Sequence, residues 1–235
     1  MEPSDIKPGT LFLISTPIGN LKDITLRAIE TLKSVDLIAA EDTRTSKILL
    51  AHYQIQTAAV SYHDHNKERV TPNLISRLLA QQSIALISDA GTPGISDPAF
   101  YVVREAVAHN IRVECIPGAS AVIAAVVLSG LPTDRFVFEG FLPAQKGRRK
   151  RLEELSQDPR TLVFYESPYR LKRTLADLYQ ALGDRPIAIA REMTKKFEQI
   201  IRTRLAEIDQ KGITWPIKGE FVLVVGGLTR KLKKE

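Results

Sequence analysis

The stretch ISDAGTPGISDPA, residues 87–99, carries two aspartates, two serines, a threonine, two glycines and two prolines, but no lysine or arginine. An apolar run, SIALIS, precedes it and FYVVREAVAHN follows, so it reads as a strand-to-helix loop, the place where open α/β sheets bind ligands. A phosphate loop would combine its glycines with a lysine, as in GxxxxGK[ST], and that pattern is absent. Asp89 and Asp97 without a base disfavour an anionic group and favour hydroxyls, an ammonium or a sulfonium. The plainer reading of the same residues is a turn in which Asp97 caps the next helix.

Two more turns are of this kind. STPIGNLKDIT (15–25) is a strand, a Pro-Gly turn and a helix, and IPGASA (116–121) is a strand end whose small residues let a ligand approach the backbone. In a parallel sheet the three would converge on one rim. AAEDTRTS (39–46) puts Glu41, Asp42 and Arg44 at another strand end, equally an acid–base set or a structural Asp–Arg pair. SYHDHNKE (61–68) offers His63, Asp64 and His65. The His-x-His pair lacks a third ligand at sensible spacing, so no metal is expected there; contact with substrate and plain loop polarity are the remaining readings. REMTKKFE (191–198) surrounds Met193 with charge, although a lone methionine is most often core filler. No Ser/His/Asp order or Cys/His pair supports covalent catalysis.

The elements that must position these groups alternate. TLFLIS, DLIAA, AAVSY, IALIS and RVECI read as strands in the first half. Between them, Leu26, Ile29 and Leu32 mark one face of a helix, and Thr71-Pro72 marks the start of another. Asp97-Pro98 and Ser167-Pro168 repeat that start signal, and Gly183 suits a helix end. Strand–helix alternation predicts a mostly parallel sheet covered on both faces. Beyond the linker-like SGLPTDR the texture changes: FVFEGF, TLVFYE, IAIAR, FEQIIRTR and EFVLVVGG read as strands, two of them close enough to pair antiparallel, so a mixed sheet is expected. The expected organisation is two α/β domains, residues 1–122 and 123–235, with a ligand cleft between them.

The bulk numbers suit this. With 235 residues, 44% of them hydrophobic, the chain can bury a real core. One cysteine, no apolar run of about 20 residues and an acidic, proline-broken start lead us to expect a cytoplasmic protein without a membrane segment. The net charge of +6 is concentrated in KGRRKR (146–151) and RKLKK (230–234). Either run alone is as well read as a solvated helix face or a frayed terminus; together they favour an anionic polymer as partner.

TPIGNLKDITLRAIETLKSVDLIAAEDTRTSKILL, SDAGTPGISDPA, IPGASA, FEGFLP, FYESPYRL and REMTKKFE, in that order from about Thr10 to Gly227, resemble the small-subunit ribosomal RNA methyltransferases of the tetrapyrrole-methylase-like superfamily. The resemblance implies S-adenosylmethionine as cofactor, held in the cleft between two α/β domains of a homodimer. It implies 2′-O-methylation of a cytidine in the decoding region of 16S ribosomal RNA, free or in the assembled subunit. The cofactor positions it carries over are Pro17, Asp89, Thr92, Ile95, Ser120, Ala121, Tyr165, Met193 and Gly219. Asp42 and His63 are then the candidates for the base acting on the ribose hydroxyl, with Arg44 steering a phosphate. Where such relatives commonly continue into a basic extension, this sequence reads TRKLKKE. The rival readings are carbon methylation of a tetrapyrrole, a metal-dependent phosphohydrolase using Asp42, Asp64 and Asp89, and a non-catalytic RNA-binding module.

Overall fold

The computed structural model describes residues 7–228, so the second basic run, 230–234, lies outside the described residues. Contacts divide the chain into two units, Met1–Ser120 and Ala121–Glu235.

The first unit is the parallel sheet that strand–helix alternation predicts. Its strands β1 (Thr10–Ile14), β2 (Leu37–Ala40), β3 (Ala59–Ser61), β4 (Ile84–Ile87) and β5 (Arg112–Ile116) lie in the order β3-β2-β4-β1-β5, and every pairing is parallel. The period of two sends successive strand residues to opposite faces. Leu11, Leu37, Ala39 and Leu86 pack with α3 (Lys67–Leu79) and α4 (Ala99–Ala108). Phe12, Ile38, Ala40 and Ile87 pack with α1 (Leu26–Ser34) and α2 (Thr43–His52). From β2 the chain moves outward to β3, and from β4 it moves the other way to β5. The carboxyl ends of β2 and β4 are therefore a topological switch point, where loops splay and leave room for a ligand.

One helix face and two helix starts differ from expectation. Leu26, the first residue of α1, is 79% exposed, and the buried face is Ala28, Thr31 and Leu32; Thr25 caps this helix by accepting from the Ala28 amide at 3.1 Å. α3 begins at Lys67 rather than Pro72, because Asn66 organises its entry: the Asn66 amide side chain accepts from His63 N–H and donates to Ser61 O. Pro72 then costs the helix one hydrogen bond, at the Glu68 carbonyl. Ser167-Pro168 opens a turn, with α7 (Leu171–Leu182) starting after it; Gly183, at φ +73°, ends that helix as expected.

The second unit is a mixed sheet. β6 (Phe136–Phe141), β7 (Thr161–Glu166), β8 (Pro186–Arg191), β9 (Gln199–Arg204) and β10 (Phe221–Val225) lie in the order β6-β7-β10-β8-β9. Only β6 and β7 run parallel; β8 and β9 form the expected antiparallel pair, from Pro186↔Arg204 to Arg191↔Gln199. One core joins this sheet to α6 (Arg148–Ser156), α7 and α8 (Leu205–Lys211), around Phe164, Leu175, Leu178 and Leu223. α5 (Ala121–Ser129) packs against β8, β9 and β10. Among the described residues no helix is long and apolar enough to cross a membrane.

Candidate functional site

The acidic groups of the first unit meet at the switch point. Asp89 follows β4, and its N–H donates to Glu41 Oε2 at 3.2 Å, while Asp89 Oδ1 accepts from the Asp42 N–H at 3.0 Å. Burial, followed by the nearby carboxylates, raises the proton affinity of Glu41 despite the bond from the Asp89 amide; Asp89 is raised chiefly by burial too. Asp42 differs. It caps α2 by accepting from Arg44 N at 2.8 Å, and it accepts from Arg44 Nη2 at 2.7 Å. These hydrogen bonds lower its pKa to about 2. Arg44 itself is 91% exposed. Glu41, Tyr62, Ser88 and Asp97 line a cavity of about 10 Å³ at this edge, room for a single water.

The loop carrying Asp89 is threaded between its neighbours. Thr16 and Gly91 exchange backbone hydrogen bonds at 2.9 and 3.1 Å. The Ser15 and Thr92 hydroxyls stand 2.9 Å apart, and Thr92 donates to Ala119 O at 3.3 Å. Gly91 needs its φ of +82°, and a Cβ on Gly118 would come 3.0 Å from that of Ser15. Asp97 accepts from Gly94 N and Ala99 N at 2.8 and 2.9 Å, fastening the loop to the start of α4. The three small-residue turns do converge on one rim. Pro17 is buried beside it, Ile95 is 43% exposed, and Ser120 is half-buried where the third turn ends.

His63 follows β3 at the far edge. Its Nδ1 is buried and has no hydrogen-bond partner, and its ring meets that of His65 edge-on at 6.0 Å. No hydrogen bond among the described residues joins it to Asp42 or Arg44. Asp64 is paired with Lys67 at 2.8 Å, and no trio of His, Cys, Asp or Glu among the described residues is placed to hold a metal.

Ala121 opens α5 in the second unit, and that unit gathers three further candidates at one end of its sheet. Tyr165 lies near the end of β7 opposite Val222, Met193 follows β8, and Gly219 precedes β10. Burial raises the Tyr165 phenol, whose ring packs on Phe138 at 4.9 Å between centroids. Met193 is 7% exposed and sits between two left-handed residues, Glu192 at φ +50° and Thr194 at φ +64°. Such strained backbone is held only where surrounding bonds dictate it. Here Glu192 Oε1 accepts from Glu220 N and Lys195 Nζ, both at 3.0 Å. A Cβ on Gly219, at φ +91°, would lie 2.3 Å from the Glu192 carboxyl carbon.

Sequence reasoning named Glu41 only within a possible acid–base set at a strand end, and passed over Ser15 and Thr194, whose Oγ1 is buried without a partner. A hydroxyl at a strand end was the available signal for Ser15; a left-handed threonine gives none. Against the requirements of a sulfonium-bearing nucleoside, the rim offers carboxylate and hydroxyl acceptors, a close approach at Gly91 and no lysine in residues 87–99. That donor set fits such a group.

The basic run is less available than its composition suggests. Arg148 is 4% exposed and bonds to Asp177, Thr174 and Pro143 O. Arg151 is held by Glu139 at 2.6 Å and Glu154 at 2.8 Å. Lys146 and Lys150 are exposed and make no ion pair among the described residues.

The model of the Tetrapyrrole (Corrin/Porphyrin) Methylases matches residues 10–209. A protein of Halalkalibacterium halodurans named "Ribosomal RNA small subunit methyltransferase I" is 52% identical over 228 residues, covering 97% of this chain and 79% of its own. A Synechocystis protein of that name is 52% identical over 94% of this chain and 80% of its own. Among solved structures, uroporphyrin-III C-methyl transferase from Thermus thermophilus complexed with S-adenyl homocysteine superposes with a TM-score of 0.65 at 21% identity, covering 92% of this chain and 97% of that one. A diphthine synthase superposes at 0.72 with 15% identity, covering 92% and 90%; at these identities both show the fold alone. The family model covers residues 10–209 and the two relatives match 94–97% of this chain, and on those grounds this chain belongs to the tetrapyrrole (corrin/porphyrin) methylases.

Proposed function

We propose that this protein methylates small-subunit ribosomal RNA with S-adenosylmethionine as methyl donor, at the ribose 2′-oxygen of a cytidine in the decoding region. The observation that carries the reading is identity of about one half, across almost the whole chain, to relatives named as ribosomal RNA small subunit methyltransferases. The acidic, lysine-free rim supports it. The carbon-methylating tetrapyrrole enzymes are neighbours at 18–21% identity, which speaks for a common fold and not for their substrate.

The cofactor, when bound, supplies a methyl group on a sulfonium leaving group. Asp89 offers its carboxylate to the cationic nucleoside, with Thr92 and Ser120 hydroxyls beside it and Pro17 and Ile95 as apolar walls. Within the second unit, Ala121, Tyr165, Met193 and Gly219 are the candidate cofactor residues. Fixing two reactants in line contributes up to about 7–11 kcal/mol to lowering such a barrier, and the stiff, proline-bearing loop loses little entropy on ordering. Of the two candidate bases, His63 is favoured. Asp42, held at about 2 by Arg44, is too weak a proton acceptor at neutral pH; it fixes Arg44, whose exposed guanidinium meets a substrate phosphate. His63 makes no such ion pair among the described residues; its Nδ1 is buried, so the Nε2 edge is the one that would meet a ribose hydroxyl. The protein acts in the cytoplasm as a homodimer, a second copy covering the exposed Ile123 (52%) and Val127 (69%) of α5. Incubation with methyl-labelled cofactor and unmethylated small ribosomal subunits should place label on a ribose. Label on a base, or none, defeats the assignment.

A further inference from the structure

Resting on the RNA reading above, we infer that the groove between the end of β6 and the start of α6 binds one or two single-stranded nucleotides, stacking a base on Phe141 and meeting phosphates with Lys146 and Lys150. β6 is an edge strand whose pairing with β7 slips between Phe138 and Phe141, around Gly140 at φ +60°. The bulge turns Phe141 outward, as bulges at sheet edges do. Phe141 is 53% exposed, and its ring lies tilted at 59° against that of Tyr165, 5.7 Å between centroids. An exposed aromatic ring steadied by a neighbouring ring can serve as a stacking platform.

Across from it, a groove of about 410 Å³ is lined by Pro143, Gly147, Lys150 and Arg151 together with Phe141. Arg151 pairs with both carboxylates of the lining, Glu139 and Glu154, and offsets one of their two charges; Lys150 offsets the other, so the positive excess comes from Lys146, exposed and next to the lining Gly147. Ammonium groups beside a free aromatic face are what proteins use to hold single strands without reading sequence. A duplex hides its base faces and an acidic peptide has no planar face to offer, so neither uses Phe141.

The test is fluorescence anisotropy with a labelled single-stranded RNA nonamer of mixed sequence and the full chain. Phe141→Ala should weaken binding about 5- to 100-fold, and Phe141→Trp should retain it. The double variant Lys146→Ala/Lys150→Ala should reduce the slope of log affinity against log salt by about 1.4, with its thermal midpoint and S-adenosylhomocysteine affinity unchanged. Unaltered affinity and slope would overturn the groove, as would displacement of the RNA by polyglutamate with Phe141→Ala silent. Methyl transfer separates the two readings. If wild-type protein labels ribosomal RNA while all three variants bind and transfer normally, the groove falls alone. If wild-type protein labels no RNA but the anisotropy results hold, the assigned reaction falls and the groove stands.

Discussion

Asp89 and Glu41 clasp two adjacent strand ends: the Asp89 amide donates to the Glu41 carboxylate at 3.2 Å, and Asp89's own carboxylate returns the contact one residue further on, at the Asp42 amide. Each carboxylate thus holds the opposite strand's backbone, and two like charges are kept side by side at the switch point. A cation bound there relieves their repulsion, which links the geometry to the ligand chemistry.

Asp89→Asn keeps an acceptor for the Asp42 amide and removes the charge. Its affinity for S-adenosylmethionine should fall about 10- to 100-fold by calorimetry, the range for losing one charged hydrogen bond, with little change in thermal midpoint. Equal affinity for both proteins would place the cofactor's cationic groups elsewhere.

The same pair sets a pH dependence. Glu41 and Asp89 have folded-state pKa values above their ordinary 4.5 and 3.8, so the fold favours their protonated forms. Their contribution to stability is greatest below those ordinary values and is lost as pH rises through the raised ones. Urea midpoints of Glu41→Gln should therefore gain on wild type as pH climbs from about 4 to 7, since glutamine still accepts from Asp89 N–H without ionising. A constant difference across that range would contradict the assignment. Cofactor binding near pH 4.5 should also release protons, seen as buffer-dependent heats that vanish at pH 8.

Much of this was legible in the chain. Apolar runs spaced by helical patterns marked the parallel sheet, IAIAR and FEQIIRTR marked the antiparallel pair, and the three small-residue turns marked the rim. What could not be read was partnership. Composition made KGRRKR a uniform basic run, yet Arg148 is buried against Asp177, a residue 29 positions away, and only tertiary packing separates it from Lys150. The entry to α3 was likewise misplaced, because Pro72 is a local signal whereas Asn66 acts through its contacts with His63 and Ser61.

Arg148→Ala should accordingly behave as a core variant. Losing the buried guanidinium's bonds to Asp177, Thr174 and the Pro143 carbonyl should cost about 1–3 kcal/mol in urea unfolding, while the salt slope of RNA binding stays that of wild type. A changed slope with unchanged stability would return Arg148 to the surface.

Gly219→Ala puts a methyl group 2.3 Å from the Glu192 carboxyl carbon and forces alanine to φ +91°. The predicted loss is about 1–3 kcal/mol, with the 192–195 turn displaced and cofactor affinity falling alongside. Wild-type stability and affinity together would mean that the left-handed turn holds nothing in place.

The central position in the second sheet belongs to β10, flanked by β7 and β8, although it comes last of the ten strands among the described residues. During synthesis β7 and β8 wait with bare edges until residue 225 has emerged, so translation halted before Phe221 leaves two sticky ribbons instead of a half-finished layer. Nascent chains paused at that point should be the ones that chaperones capture.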